Sequence, residues 1–516
     1  MLAKQRRRNY EKYAESAPSI VCRAVNKPDI TIACVIKSAT YDVLSYECSL
    51  INLTEANYIN ILTNKKIDLV LVESSYLDNT NDWLQRMQEI FEFCKSRKIC
   101  TVIWDTSGFL GDSAIISNFD FIFTVNNSRI EEYKESFKNK NVFYLPFAVQ
   151  PHIINPTDRN IMNKENLFLS HTDIELNRVH GSKHKIYSLL YKKAIENVIP
   201  KEIFELMATG TFFISPYSDI LGKEFPEIIK LYESEAEMQE ILSPLLRDND
   251  AIDKLSVIGQ RCVFTNYTYE SRLDTILHKT GITQPKKLPG VSMVTSTNRP
   301  DSMENVFKNY ENQLYENKEL IVILNNNKMD LGKWNSKAAE YENVKVFQID
   351  EAQPLGICLN HAIDNSDYPY FSKCDDDNYY APNFLSDLMN TFKYADTEIV
   401  GKLTYYCYLE GCRTLAMMCP NMEYRYVNML SGSALIIKRE VFDSVRFKTK
   451  PFGSDTVFLR ECLNNGVRMY SSDRFNYVYK RHASQENHTW KAQDDVFLRS
   501  CKIINVTDDF ISTVTV

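Results

Sequence analysis

Glycine and proline are scarce in this sequence, at 15 and 17 of 516 residues. That shortage excludes a collagenous, linker-rich or broadly disordered chain. No run of about 18 apolar residues occurs, so no transmembrane helix is expected. The basic patch Lys4, Arg6, Arg7 and Arg8 is followed by polar residues 9–18 rather than an apolar stretch, so no secretory leader is expected. The patch reads as a solvated terminus, with peripheral contact to a membrane or an acidic partner as the alternative. The 13 cysteines include no C-x-x-C pair and sit beside no histidine cluster. Buried, reduced thiols in a cytoplasmic protein are the expectation. With a net charge of −7 there is no general basic field, and nucleic acid is not an expected partner. Oligomeric state is not fixed by any of these features.

What is present is the balance of a globular protein, 44% hydrophobic and 25% charged, in a length sufficient for two to four domains. After an amino-terminal extension, 1–28, three blocks follow. In the first, 29–155, apolar runs at 30–36, 67–72, 99–104 and 119–125 predict buried strands. The spacing of apolar residues over 83–97 predicts a helix between two of them. Strands alternating with helices point to a parallel α/β sheet. In the second block, 156–283, Pro200 opens a predicted helix, Gly210 closes it, and a buried strand follows at 211–215. Two successive α/β halves of this size resemble the twin Rossmann-like domains of GT-B glycosyltransferases.

A polar, proline-containing joint at 281–289 leads into the third block, 289–516. Strands are predicted at 291–295, 319–324, 344–349 and 368–373, with helices over 302–313 and 355–364. Ligands are expected at the carboxyl ends of such strands. There, directly after Tyr370, Phe371, Ser372 and Lys373, stand Cys374, Asp375, Asp376 and Asp377. Carboxylates two residues apart can hold a hard divalent cation whose shell a diphosphate completes. Asp and Asn are also ordinary turn residues, so a solvated acidic turn is the competing reading.

The order of motifs around these acids resembles the family-2 glycosyltransferases, which have a GT-A fold, a Rossmann-like unit with a mixed sheet. Residues 291–300 are similar to the family's first strand and nucleotide-binding turn, with Thr297 and Arg299 in the turn. Residues 319–324 are similar to its second strand, where Asn325 stands in place of the usual base-contacting Asp; Asn can also hydrogen-bond a base edge. Gly356 and Asn360 match the stretch that approaches the nucleotide. The segment 430–434 resembles the acceptor-side glycine motif. Asp455 falls at the place of the catalytic base, although Ser454 replaces the more common Glu, and an acid in a first helical turn is favoured without any catalysis.

The resemblance implies a metal-dependent transferase working with Mn²⁺ or Mg²⁺ and a nucleoside diphosphate sugar, with a UDP-sugar as first choice. Asp375, Asp377 and His488 are the implied metal ligands; a surface or stacking role for His488 is the alternative. Asp376 would contact ribose or sugar. Lys373 would approach phosphate or sugar, or pair with the acids. Asp455 would deprotonate an acceptor hydroxyl on a glycan or a protein in one inverting displacement.

The first two blocks resemble CgeB-type spore-maturation proteins, related to GT-B glycosyltransferases. The resemblance rests on 71–74, 104–105, 120–124, 145–148 and the run from Pro200 to Gly210. It implies a ribose contact for Glu205. Glu202 replaces a common Arg, Asn197 replaces a second Glu, and 180–183 is a thin candidate for a phosphate loop. This half is expected to be either a second active transferase or a degenerate binding module. Two other readings compete for the whole chain. A nucleotidyltransferase would need a glycine-rich triphosphate loop that 296–299 lacks. A non-catalytic carbohydrate-binding or scaffold protein would keep the folds alone.

Overall fold

The structure, a computed structural model, describes residues 29–77, 81–111, 114–157, 186–188, 195–284, 286–449, 454–483 and 494–516. The basic terminus, residues 180–183 and His488 lie outside the described residues. The described residues form two compact units, one drawn from 29–155 and 186–286, the other chiefly from 287–516.

The amino-terminal unit contains β1 (Thr31–Val35), β2 (Ser49–Asn52), β3 (Leu69–Glu73), β4 (Cys100–Asp105), β5 (Phe121–Thr124) and β6 (Val142–Tyr144). They form one sheet in the order β2-β1-β3-β4-β5-β6, every neighbouring pair parallel. Both faces are covered, which is why the strands are near-continuous apolar runs. Ala33 and Val35 enter one core with Met87, Ile90 and Cys94 of the helix Asn81–Arg97. Ile32 and Cys34 enter the other core with Tyr269, Leu273, Ile276 and Leu277 of the helix Tyr269–Lys279.

A second, three-stranded parallel sheet in this unit consists of β7 (Ile186–Ser188), β8 (Phe212–Pro216) and β9 (Lys230–Tyr232). The helix Lys201–Ala208 precedes β8, with Pro200 as its N-cap, and Gly210 follows at φ +76°, a left-handed position suited to glycine. The helix Tyr269–Lys279 begins with a capping box between Thr268 and Ser271. Its start is tied by Tyr269 N–H donating to the Val149 carbonyl (3.0 Å) and by Arg272 Nε donating to the Pro146 carbonyl (2.8 Å). The chain therefore returns to the six-stranded sheet at its end.

The carboxy-terminal unit contains β10 (Val291–Thr297), β11 (Lys318–Leu324), β12 (Val344–Gln348), β13 (Tyr370–Lys373), β14 (Tyr379–Tyr380), β15 (Ile399–Gly401), β16 (Tyr405–Leu409) and β17 (Thr414–Met418). After these come β18 (Arg425–Val427), β19 (Leu435–Lys438), β20 (Met469–Ser471), β21 (Tyr477–Arg481) and β22 (Cys501–Val506). One sheet runs β12-β11-β10-β13-β19-β15-β20-β18. Its first four strands are parallel, and β19 is antiparallel to both neighbours, so the sheet is mixed. The helix Leu355–Asp364 packs Cys358, Leu359, Ala362 and Ile363 on Val294, Ile321 and Ile323. A smaller sheet runs β14-β21-β16-β17-β22. The chain is thus α/β in both units.

Candidate functional site

The order of strands decides where the site forms. From β10 the chain steps one way to β11 and β12 and later returns to the other side of β10 as β13. The carboxyl ends of β10 and β13 therefore face one crevice at a topological switch point. Thr297 and Arg299 leave β10 there, and Asp375, Asp376 and Asp377 leave β13.

The three acids turn to different partners. Asp376, buried, accepts from the Thr297 hydroxyl and from Arg299 NH1 at 2.8 Å. Asp377 accepts from the same guanidinium nitrogen at 2.6 Å. Asp375 accepts from Lys373 Nζ at 2.6 Å. Burial pushes the Asp376 carboxyl above the usual carboxylate value against the pull of Thr297 and Arg299. Arg299 is held above its ordinary value, because Asp377 and Asp376 outweigh the effect of its partial burial.

The loop carrying these acids is fixed by amide and phenol groups. Asn305, on the helix Met303–Glu311, donates to the carbonyls of Asp376 (2.8 Å) and Asn378 (3.1 Å). One helical turn later Asn309 donates to the Asn378 carbonyl at 3.0 Å. Tyr380 accepts from the Asp375 N–H and donates to the Ser433 carbonyl, at 2.8 and 2.7 Å. That phenol joins the acid loop to the glycine segment around Gly432.

Asp455 reaches the same place from the helix Ser454–Asn464, with Oδ2 3.3 Å from Lys373 Nζ. Its Oδ1 atom is enclosed and has no hydrogen-bond partner among the described residues. Burial raises the Asp455 carboxyl above its ordinary value; Lys373 opposes that shift and Asp375 adds to it. For Lys373, burial alone would favour the neutral amine, but Asp375 and Asp455 outweigh it and hold the ammonium well above its ordinary value. Lys373 thus pairs with both Asp375 and Asp455.

Gly432 permits this approach. A Cβ built there would lie 2.4 Å from Asp455 Oδ2 and 2.6 Å from Asp455 Cβ. Gly432→Ala is expected to push the carboxylate aside and lower turnover roughly 10-fold or more, since small misplacements at reacting groups are costly. Steady-state kinetics beside a thermal melt would check this; unchanged turnover in a folded Ala variant would count against it.

Of the remaining expected site residues, Asn325 lies beside Thr297, to whose carbonyl its N–H donates at 2.7 Å, and the others have partners elsewhere. Asn325, at the end of β11, donates to the Asp350 carbonyl at 2.9 Å. Asn360 is engaged at both ends of its amide by the Phe447 backbone, at 2.9 and 3.1 Å. A Cβ on Gly356 would lie 2.2 Å from the Lys448 carbonyl oxygen. Gly356 and Asn360 thus hold the 447–448 segment against the helix Leu355–Asp364. Glu205 belongs to the amino-terminal unit and pairs with Lys201, one helical turn earlier, at 2.9 Å.

Sequence reasoning preferred His488 and passed over His482. The His482 ring follows β21, with Nε2 3.7 Å from Asp377 Oδ2 and Nδ1 3.0 Å from Glu410 Oε2. Glu410 carried no signal in the sequence, because its relevance comes from strand pairing alone.

Asp377 Oδ2 and His482 Nε2, 3.7 Å apart, are the groups here that could hold a divalent cation. Among the described residues no group of three or more His, Cys, Asp or Glu side chains is placed to hold a metal ion by itself. A cation held by one or two side chains and completed by phosphate oxygens needs no such group.

Comparison with known proteins bears on both units. Residues 293–443 match the model of the family described as Glycosyl transferase family 2. Residues 164–278 match a second model, described as Glycosyl transferase-like. Both matched segments are thus of glycosyltransferase type. The first match falls in the carboxy-terminal unit and the second in the stretch that leads through the amino-terminal unit.

Among solved structures, the mannosyltransferase PcManGT from Pyrobaculum calidifontis, in complex with GDP-Man and Mn²⁺, aligns at 15% identity and a TM-score of 0.29. The alignment covers 38% of this chain and 58% of that one. Residues 1–349 of S. aureus TarS, in complex with UDP-GlcNAc, align at 15% identity and a TM-score of 0.29, covering 37% of this chain and 58% of that one. The aligned part spans less than two thirds of the length of either protein. No curated protein matches the chain. Among the described residues no helix is long and apolar enough to cross a membrane.

Proposed function

We propose that the carboxy-terminal unit transfers a sugar from a nucleoside diphosphate sugar, a UDP-sugar in the first instance, to a hydroxyl of a glycan or protein. The observation that carries this reading is the convergence of Asp455, with its unpartnered Oδ1, on the Lys373–Asp375 pair beside the acid loop.

In this reading the Asp455 carboxylate accepts the acceptor's hydroxyl proton, with Lys373 Nζ 3.3 Å from its Oδ2. The freed oxygen attacks the anomeric carbon opposite the departing diphosphate, and that single displacement inverts the centre. Asp375 and Asp377, with His488 as the expected third ligand, would hold Mn²⁺ or Mg²⁺. When bound, the ion supplies positive charge to the leaving diphosphate. Thr297 and Arg299 flank the position of the nucleotide, with Asp376 toward its ribose or the sugar. In this reading Arg299 exchanges its carboxylate partners for phosphate, which a guanidinium can bind in a forked geometry.

For the amino-terminal unit we favour a degenerate module of CgeB type that binds acceptor or partner, divided from the carboxy-terminal domain near 283–289 and internally near 155. The pairing of Glu205 with Lys201 and the presence of Glu202 in the same turn support this choice, since they leave the helix start anionic.

One experiment tests both statements. The full chain is offered a panel of UDP- and GDP-sugars with and without Mn²⁺, and free sugar and nucleotide are quantified. The expected result is metal-dependent hydrolysis that falls sharply in Asp377→Ala and stays at the wild-type level in Glu205→Ala. Activity lost only in the Glu205 variant would overturn the assignment of chemistry to the carboxy-terminal unit. No turnover of any donor would favour a carbohydrate-binding or scaffold protein.

A further inference from the structure

Asp455 rests against two pieces of chain, and one buried phenol holds both. On one side stands the Lys373–Asp375 pair, with Lys373 Nζ 3.3 Å from Asp455 Oδ2. On the other stands Gly432, so close that a Cβ built there would lie 2.6 Å from Asp455 Cβ. Tyr380 Oη accepts from the Asp375 N–H at 2.8 Å and donates its proton to the Ser433 carbonyl at 2.7 Å. The donor and acceptor sides of this hydroxyl are both used to span the site.

Strand pairing puts a second phenol beside the first. β14 and β21 are antiparallel with Tyr380 opposite Tyr477, and the two buried rings have centroids 5.4 Å apart. Tyr477 Oη lies 2.6 Å from Ser433 Oγ and accepts from Asn378 Nδ2 at 3.2 Å. The acid loop and the glycine segment are thus joined twice. The ends of the glycine segment are tied to the Lys402 backbone: Ser431 N–H donates to the Lys402 carbonyl at 2.9 Å, and Lys402 N–H to the Ala434 carbonyl at 3.0 Å. Between those ties, Ser433 and its neighbour Gly432 are held against the acid loop by the two phenols.

We propose that Tyr380, backed by Tyr477, is a positioning residue for the reaction: it sets the spacing between the acid loop and the Gly432 wall against which Asp455 rests. The inference rests on the transferase reading above. Misplacing a reacting group by about 1 Å can cost about 10²-fold in rate. The acid loop keeps its separate ties to Asn305 and Asn309, so loss of the Tyr380 hydroxyl should fall on turnover and spare donor affinity. A phenol that only filled the core would be replaced by Phe without that kinetic consequence.

The test uses the full chain, with water as acceptor and the UDP- or GDP-sugar that the wild type hydrolyses fastest in Mn²⁺. Each variant is assayed well below its own melting temperature. Tyr380→Phe is expected to lower kcat by about 10-fold or more while donor KM stays within about 3-fold. In an Asp455→Asn background, Tyr380→Phe should add little, since the phenol acts through the placement of that side chain. Tyr477→Phe should show the same split at smaller size, and it carries the test if Tyr380→Phe does not fold. Three results would overturn the proposal and leave the transferase reading intact. They are wild-type kcat in folded Tyr380→Phe (or in Tyr477→Phe where that variant alone folds), a raised KM with kcat unchanged, and losses that multiply with that of Asp455→Asn. A wild type that hydrolyses no donor would overturn the transferase reading, and this inference with it.

Discussion

Asp455→Asn is expected to lower sugar transfer by about 10²–10⁴-fold while leaving donor binding close to wild type, the range typical for loss of a general base. The substitution is nearly isosteric, so Gly432 still accommodates it and Lys373 keeps an oxygen partner. What is lost is the ability of Oδ1 to take a proton. Turnover with an acceptor and affinity for a nucleoside diphosphate, measured separately, would check this. A folded Asn variant with wild-type transfer would remove Asp455 from the mechanism. The wild-type pH profile offers a second check. Burial raises the Asp455 carboxyl, and the base works only when ionised. Activity should therefore rise with pH along an acid limb lying above the ordinary aspartate value of about 3.9.

Lys373→Met should produce the largest loss of stability among single changes at the site, about 3–5 kcal/mol, because it removes one partner of a buried ion pair and leaves carboxylate charge behind. Lys373 is only 4% exposed and contacts both Asp375 and Asp455. The sign with pH follows from its raised folded-state value. The stabilisation is fully present below the unfolded lysine value of about 10.4 and is lost only as pH rises through the folded value. At neutral pH the whole effect should appear as a lower urea midpoint with an unchanged slope. The kinetic consequence is separate: without the ammonium, burial and Asp375 both push Asp455 upward, so the acid limb of the activity profile should move to higher pH. A Met variant with wild-type stability and an unmoved limb would show that the buried pair is incidental.

The parallel cores were readable because strands buried on both faces must be apolar throughout. β1, β3, β4, β5, β10, β11 and β13 all appear within or close to the apolar runs that marked them. β2 and β6 escaped notice for the complementary reason. β2 is an edge strand whose four residues are exposed or half-buried, and β6 has only three residues. Short edge strands carry little of the hydrophobic pattern on which such readings depend. The helix Leu355–Asp364 was fully legible, since its apolar spacing and the proline before it mark both face and start.

Within the site, the residues adjacent in sequence to a strand end were legible: Thr297, Arg299, Lys373 and the three acids. Their direction was not. That Asp375 turns to Lys373 while Asp376 and Asp377 share Arg299 depends on which neighbours the switch point supplies. Gly356 and Asn360 were conspicuous for their spacing, yet only packing reveals that they hold the 447–448 backbone.

The sequence by itself determined the α/β class, the placement of an acid triplet at a strand end and the presence of Asp455 in a first helical turn, because these follow from periodicity and local order. Tertiary structure alone decided that Asp455 meets Lys373, that Gly432 leaves room for it, and that Glu410 stands beside His482. Those contacts join residues 23 to 82 positions apart through sheet register and buried charge, and local sequence carries no record of either.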